Sequence, residues 1–305
     1  MKRVGFLINF NIFKWFGGTY LIKNLINCIM QFSKNEIKPI IIVKKKLSKD
    51  EQKEFKNFEL LKTNFFHNQT LINRIYNKFL ILLFGRSKTY DEFFLKNKIE
   101  ILSHSNALSN SIFLGKKSAI KSYPFLADLQ YLHYPQNFSL KNRFLRKINI
   151  YMCALHSTKI IVSSDDVKND LKIVSKLASR KAVVSPFVFL SPKKYEIIKY
   201  SLLKSKFKLP LKYFYLPNQY WMHKNHKVVL NALLYLKNKH KLKNIFIVST
   251  GSKEEHRNIK YFHEIEKFIS DNNLYKYYKY LGTVSFKEVL SLMYHSIAVI
   301  QPSKF

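Results

Sequence analysis

The sequence lacks a long apolar run, contains two cysteines and is poor in acidic residues. Its longest purely apolar run covers residues 79–84, which is far too short to cross a bilayer. Cys28 and Cys153 lie far apart without metal-ligand spacing, so a reduced, cytoplasmic protein is expected. The apolar N-terminus superficially resembles a signal peptide, but polar residues interrupt it and no small-residue cleavage site follows.

The shortage of acid leaves a very large positive charge. Lysine and arginine number 53 against 19 acidic residues, giving a formal net charge of +34 and a pI near 10.0. Nucleic-acid binding, attachment to an anionic membrane surface and plain compositional bias each explain such a charge. The lysines are spread along the chain and match no nucleic-acid module. We therefore interpret the charge mainly as bias, with peripheral attachment to the inner face of the cell membrane as a consequence.

What the sequence does contain is a core-forming composition and an alternation of strands and helices. Hydrophobic residues make up 47% of the 305 residues and aromatic residues 15%, so a globular chain long enough for two domains is expected. Helical segments separate the apolar runs, a pattern typical of parallel α/β sheets. Strands are predicted at residues 4–10, 37–43, 99–103, 159–163, 183–190, 213–216, 245–249, 280–282 and 297–300.

The loop after the strand at 213–216 is the most informative stretch. Its polar residues include Gln219, His223 and Lys224, and a helix is predicted to begin at Asn225 as N-cap. A strand, loop and helix in this order direct the helix N–H groups at whatever lies above the loop, which suits an anion such as phosphate. The alternative is that Lys224 is one more surface lysine.

Two other polar segments follow predicted strands. Gly17 and Gly18 are predicted in the loop after the first strand, where a tight turn is the alternative to a ligand contact. Asp128, Gln130 and His133 are predicted in a later loop and supply groups that bind sugar hydroxyls. The alternative is that Asp128 caps a turn and His133 packs against its neighbour. The basic helix predicted at residues 141–147 could face a membrane, an anionic acceptor or solvent. A single histidine, His104, follows the strand predicted at residues 99–103 and is interpreted as structural.

The run from Asn218 to His226, together with Asp128-x-Gln130 and the following Pro135, resembles the GT-B glycosyltransferases of family 4. In that family a basic residue and a lysine hold the diphosphate of a nucleotide sugar. Lys224 matches the lysine, whereas Gln219 replaces the basic residue. The resemblance implies retention of configuration and no obligatory metal or cofactor, and the sequence has no Asp-x-Asp metal motif. It implies donor contacts from Gly17, Gly18, Gln219, Lys224 and Asn225, catalytic roles for Asp128 and His133, and sugar or acceptor contacts from Gln130.

The expected fold is α/β with two Rossmann-like domains of GT-B type, the second incomplete. The acceptor-side domain is predicted at residues 1–190, a linker at 191–211 and the donor-side domain at 212–305. The resemblance also implies that the family's C-terminal glutamates and last helices are missing, so a truncated chain of low activity is expected. The expected partners are a nucleotide sugar and a glycan or glycolipid acceptor of cell-surface polysaccharide synthesis. The competing interpretation is a basic binding protein, or an inactive remnant, without catalysis.

Overall fold

The computed structural model describes residues 1–10, 12, 16–66, 70–106, 112–190, 196–239, 245–253 and 260–304. The chain divides into two compact units, Met1–Ser191 and Pro192–Phe305. Each unit is built on its own parallel sheet. The predicted linker at 191–211 contains the helix Tyr200–Phe207, and residues 191–195 of the linker lie outside the described residues.

The sheet of the first unit has the strand order β3-β2-β1-β4-β5-β6-β7. Its strands are β1 (Lys2–Leu7), β2 (Ile37–Val43), β3 (Leu60–Lys62), β4 (Ile101–Asn106), β5 (Lys121–Leu126), β6 (Ile160–Val162) and β7 (Ala182–Val184). The order reverses between β1 and β4, which is the point where open α/β sheets bind ligands. The bounds predicted for β2 are confirmed, while the strands predicted at 4–10 and 183–190 are shorter than expected.

The helices of the first unit cover both faces of this sheet. They are α1 (Phe16–Phe32), α2 (Lys49–Phe55), α3 (Leu71–Phe84), α4 (Lys88–Lys96), α5 (Gln130–His133), α6 (Leu140–His156), α7 (Asp165–Val174) and α8 (Lys176–Lys181). One core joins α1 and α2 to the sheet through Ile26 and Phe55. A second core joins α3, α4, α6, α7 and α8 to the sheet through side chains that include Ile81, Phe94 and Ile150.

Two predictions about helix starts in this unit have different outcomes. The sequence predicts that Ser164 or Asp165 caps a helix, and Ser164 caps α7, since its Oγ accepts the Val167 N–H at 3.3 Å. The prediction that Gly17 and Gly18 lie in a loop is wrong, because both belong to the first turn of α1, which begins at Phe16. The sequence pattern does not mark this helix start, because glycine is a weak helix former.

The sheet of the second unit has the order β10-β9-β8. Its strands are β8 (Phe214–Pro217), β9 (Ile247–Thr250) and β10 (Tyr278–Tyr280), and its helices are α9 (Tyr200–Phe207), α10 (His226–Asn238), α11 (Tyr261–Asp271) and α12 (Phe286–His295). The pattern Ser285-x-x-Glu288 predicts a capping box, and both of its hydrogen bonds are present at the start of α12. The segment predicted as a strand at 297–300 lies parallel beside β8, with a bridge between Tyr215 and Val299 and a further backbone hydrogen bond from the Ile297 N–H to the Tyr213 carbonyl at 2.8 Å.

The backbone adopts left-handed conformations at several non-glycine residues. A positive φ costs an ordinary L-residue about 1–2 kcal/mol, and asparagine tolerates it better than most residues. The positions with positive φ are Lys98, His104, Lys208, Asn225 and Asn273.

No helix in the described part of the chain is both long and apolar enough to cross a membrane.

Candidate functional site

The loop of residues 218–225 joins β8 to α10 at the carboxyl edge of the second sheet. It contains a short 3₁₀ helix, Met222–Lys224, and Asn225 then precedes the first residue of α10, His226. The predicted helix start is therefore correct, but the predicted capping bond is not formed. Asn225 is left-handed, with φ 58° and ψ 40°, and its Nδ2 donates instead to the Pro302 carbonyl at 3.1 Å.

Gly251, directly after β9, packs against the start of the 218–225 loop. Its φ is +133°, and a Cβ at this position would lie 2.4 Å from the Asn218 carbonyl oxygen. Its N–H donates to the Gly282 carbonyl at 3.0 Å, so the ends of three neighbouring chain segments meet here. Gly282 also has a positive φ, +76°, but a Cβ there would meet nothing within 4 Å. Only glycine allows the close approach at 251.

Tyr220 anchors the 218–225 loop in the core of the second unit. Its hydroxyl lies 2.6 Å from both Ser249 Oγ and the Tyr278 hydroxyl, and its ring stacks on His226 with centroids 4.0 Å apart. Burial raises the pKa of Tyr220 and lowers the pKa of His226 to about 4. Both side chains are therefore neutral at pH 7, and they hold the loop by packing and hydrogen bonds. Sequence analysis gave Tyr220 no role, although an aromatic residue inside a polar loop is a usable signal.

Lys224 is the cation of this loop. It is partly buried, and burial lowers the pKa of its amine. Its backbone N–H donates to the Trp221 carbonyl at 2.8 Å, and the Trp221 N–H donates to the Gln219 carbonyl at 2.8 Å. Gln219, Lys224 and Asn225 therefore lie in one short segment next to the start of α10, and the loop contains no acidic residue. Positive charge and free helix N–H groups at one point favour an anion.

The C-terminal segment packs against the same loop. The Lys304 N–H donates to the His223 carbonyl at 2.9 Å, next to the contact between Asn225 and Pro302. His223 is buried, although it was predicted in a polar loop. The proline and serine at 302–303 therefore belong to the surroundings of Lys224.

In the first unit, Asp128 and Gln130 lie together just after β5. Asp128 Oδ1 accepts the backbone N–H of Gln130 at 3.1 Å, so Asp128 makes the turn contact that was the alternative to a ligand role. Gln130 is buried and begins the one-turn helix α5. The prediction of an open loop is thus wrong for Gln130 and His133, which are the first and last residues of that helix.

His133 has a partner that the sequence did not indicate. Its Nε2 lies 2.7 Å from Oδ2 of Asp170 on α7, and the imidazole is about half exposed while Asp170 is mostly buried. This contact joins residues 37 positions apart, and no local pattern marks it. A carboxylate that binds one ring nitrogen fixes the tautomer and the orientation of the imidazole.

Gly17 and His104 lie near the point where the strand order reverses. Gly17 is exposed in the first turn of α1, and a Cβ there would meet nothing within 4 Å. The sequence predicts a polar loop directly after the strand at 99–103, but His104 instead occupies an irregular part of β4 with φ 53°. Its ring stacks on Phe125 with centroids 5.2 Å apart, and burial lowers its pKa to about 4. His104 is therefore a neutral packing residue at pH 7.

Comparison with known proteins bears on the fold. No protein-family model matches the sequence, and no curated protein is significantly similar to it. Among solved structures, HepE of Anabaena in complex with UDP and glucose matches 99% of this chain and 74% of its own, with 13% identity and a TM-score of 0.67. WaaG, a glycosyltransferase involved in lipopolysaccharide biosynthesis, matches 99% of this chain and 75% of its own, with 12% identity and a TM-score of 0.60. The fold is that of the GT-B glycosyltransferases.

The GT-B fold predicted from the sequence is thereby confirmed, but this fold also supports another chemistry. The UDP-GlcNAc 2-epimerase of Methanocaldococcus jannaschii matches 97% of this chain and 77% of its own, with 14% identity and a TM-score of 0.51. A shared fold does not fix an activity. The function of this GT-B chain must therefore be argued from its own residues. Among the described residues, no group of three or more His, Cys, Asp or Glu side chains is placed to hold a metal ion.

Proposed function

We propose that this protein transfers a sugar from a nucleotide-sugar donor to a hydroxyl group of a glycan or glycolipid. The observation that supports this most is the position of Lys224, partly buried beside the start of α10 at the carboxyl edge of a GT-B sheet. Structures with the same fold contain UDP and UDP-glucose, and a nucleotide sugar carries the diphosphate that this position suits.

In the proposed donor complex, Lys224 and the first N–H groups of α10 bind the diphosphate. Gln219 donates a neutral amide hydrogen bond where the family has a basic residue, and Asn225 completes the loop. Gly17 and Gly18, in the first turn of α1, are proposed as further donor contacts, as the family resemblance implies. Because Lys224 is partly desolvated, its charge interacts with a phosphate more strongly than a charge in bulk water would.

During transfer, the bond between the anomeric carbon and the diphosphate oxygen breaks, and the diphosphate leaves with the electron pair. The acceptor hydroxyl oxygen forms the new bond to the anomeric carbon, and its proton passes to the leaving diphosphate. Lys224 stabilises the negative charge that develops on it, a preorganised electrostatic role. Asp128, Gln130 and His133 orient the sugar or the acceptor hydroxyl, and Asp170 holds the imidazole of His133. We propose retention of the anomeric configuration and no metal requirement, as the family resemblance implies, and a role in cell-surface polysaccharide or lipopolysaccharide synthesis.

Binding and product analysis test this proposal in two steps. Calorimetry with UDP and UDP-glucose compares the parent with Lys224→Ala and Lys276→Ala. The latter lysine is exposed and precedes β10, so it lies at the amino edge of the same sheet. Lys224→Ala should weaken binding by roughly 1.5–3 kcal/mol, the scale of a charge-assisted hydrogen bond, whereas Lys276→Ala should leave it unchanged.

The second step distinguishes transfer from epimerisation and from plain binding. Purified protein is incubated with a nucleotide sugar, with and without a glycan or glycolipid acceptor, and the products are separated by chromatography. Release of nucleoside diphosphate that depends on the acceptor, with a new glycoside, supports the proposal. An epimerised nucleotide sugar would favour the second candidate, an epimerase. Tight binding without any product would favour the binding protein, and equal affinity of Lys224→Ala and the parent would remove Lys224 from the site.

A further inference from the structure

The outer face of α3 is apolar and open to solvent. Asn77 and Ile81 point into the protein and are buried, so the opposite side of the helix faces outward. The apolar residues on that side are between 54% and 77% exposed; they are Ile72, Ile75, Tyr76, Phe79, Leu82 and Leu83. An amphipathic helix normally turns its apolar side inward. In α3 six large apolar side chains face outward instead, and Asn73 and Lys78 are exposed on the same helix.

The outer face of α6 shows the same inversion. Ile150, Cys153 and Ala154 are buried on its inner side. Its outward residues are between 40% and 78% exposed and recur at helical spacing; they are Leu140, Phe144, Ile148, Tyr151 and Leu155. We call these residues and the six of α3 the outer apolar surface. So many exposed large apolar side chains on two helices exceed the single exposed residues that are normal on a protein surface.

The two helices lie on the same side of the first sheet. Ile81 of α3 and Ile150 of α6 belong to one core, while α1 and α2 pack on the other side. The segment at residues 112–117 lies near the C-terminal ends of both helices. The Lys117 N–H donates to the carbonyl of Gly85, directly after α3, at 2.9 Å, and the charge of Lys116 acts on His156, the last residue of α6.

The charged residues of α3 and α6, the helices that form the outer apolar surface, are all basic. Neither α3 nor α6 contains an acidic residue. Exposed lysines and an arginine lie on these helices or at their ends; they are Lys78, Arg86, Lys116, Lys117, Lys141 and Lys147. An apolar strip with a basic border is the composition of helices that lie in the interface of an anionic bilayer.

We propose that the outer apolar surface is a docking site for an anionic lipid bilayer, with α3 and α6 lying in its interface. A second copy of this chain is disfavoured as occupant, because two cationic borders would be brought together within a protein of net charge +34. Nucleic acid matches the border but leaves the apolar strip without a partner. This inference does not rest on the proposed sugar transfer, and its test needs no activity.

The test is vesicle co-sedimentation with the full chain. Vesicles of phosphatidylcholine with phosphatidylglycerol are compared with pure phosphatidylcholine at increasing salt. The α3 variant carries Ile75→Ser, Phe79→Ser and Leu82→Ser, and the α6 variant carries Phe144→Ser and Tyr151→Ser. A control variant loses exposed apolar side chains of the second unit through Leu202→Ser, Tyr235→Ser and Tyr294→Ser. Circular dichroism verifies that each variant is folded.

Two double variants distinguish the effect of the basic residues around the outer apolar surface from the effect of the protein's net charge. Lys116→Glu with Lys117→Glu changes the border, whereas Lys204→Glu with Lys276→Glu makes the same change of net charge on exposed lysines of the second unit. We expect the parent to bind the anionic vesicles, less so as salt rises. The α3, α6 and border variants should each bind about tenfold less or weaker still, and both controls should stay within about twofold of the parent.

Several results would overturn the proposal. One is binding of the α3 or the α6 variant at the parent's level. A second is equal loss in the two charge variants, which would assign binding to net charge. A third is sedimentation velocity showing a dimer that the α3 variant abolishes, which would make a second copy the occupant.

Discussion

Replacing Gly251 with alanine should damage the second unit far more than the same change at Gly282. Both glycines follow strands of one sheet and have positive φ, +133° and +76°. At Gly282 the new Cβ meets nothing within 4 Å, so the cost is the left-handed backbone, about 1–2 kcal/mol. At Gly251 the Cβ would lie 2.4 Å from the Asn218 oxygen and 2.7 Å from its carbonyl carbon. Backbone strain of about 1–3 kcal/mol and overpacking of about 1–3 kcal/mol then add.

Urea unfolding monitored by tryptophan fluorescence measures this difference. The sequence contains two tryptophans, Trp15 and Trp221, and a Trp15→Phe background leaves Trp221, within the 218–225 loop, as the only reporter. We expect Gly251→Ala to lower the free energy of unfolding by about 2–6 kcal/mol and to weaken UDP binding, because the displaced Asn218 begins the loop that holds Lys224. Equal stability of the two alanine variants would refute the reasoning about close approach at Gly251.

Three further predictions concern single contacts. Because burial lowers the pKa of His226 from 6.5 to about 4, protonation of this imidazole favours the unfolded chain. In pH-dependent urea unfolding, the free energy of unfolding of the parent should therefore decrease by about 3 kcal/mol as the pH falls through this range. His226→Phe should lose less stability, while His263→Asn, at an exposed histidine, should behave as the parent. Ser285→Ala removes the capping box of α12 and should cost about 1 kcal/mol in the same assay; an unchanged midpoint would contradict it. Asp170→Asn removes the negative charge beside His133 but keeps an oxygen that accepts a hydrogen bond, so it should change stability by less than about 1 kcal/mol and slow sugar transfer by up to about 100-fold. Full activity in a transfer assay would exclude a role of Asp170 in holding His133.

Sequence reasoning succeeded where local pattern and tertiary burial agree. The apolar run of β2 lies in the interior of the sheet, so its bounds could be read from hydrophobicity. The capping box at Ser285 and the cap at Ser164 depend on residues within one helical turn. The apolar run at 297–300 does pair with β8, through the bridge at Tyr215 and the Ile297 N–H, but hydrophobicity does not reveal how short this pairing is.

The features that the sequence did not predict depend on contacts between residues distant in the chain, or on which side of a helix faces the core. Asp170 meets His133 across 37 positions, and Gly251 matters because it touches Asn218. The apolar residues at 79–84 were judged only by length, as too short to cross a membrane. Hydrophobicity could not indicate that Phe79 and Leu82 point outward while Ile81 points inward, since that depends on which side of α3 packs on the sheet.

The left-handed residues outside glycine have a practical consequence for stabilising this protein. Lys98 and Lys208 carry a side chain in a conformation that glycine adopts freely, with φ 55° and 49°. Glycine at either position would relieve about 1–2 kcal/mol of backbone strain but would return about 0.4–1 kcal/mol to the entropy of the unfolded chain. A small net gain remains, and it is smaller at Asn273 because asparagine already tolerates this conformation. Since Lys98 and Lys208 lie in different units, each unit offers its own position for thermostabilisation.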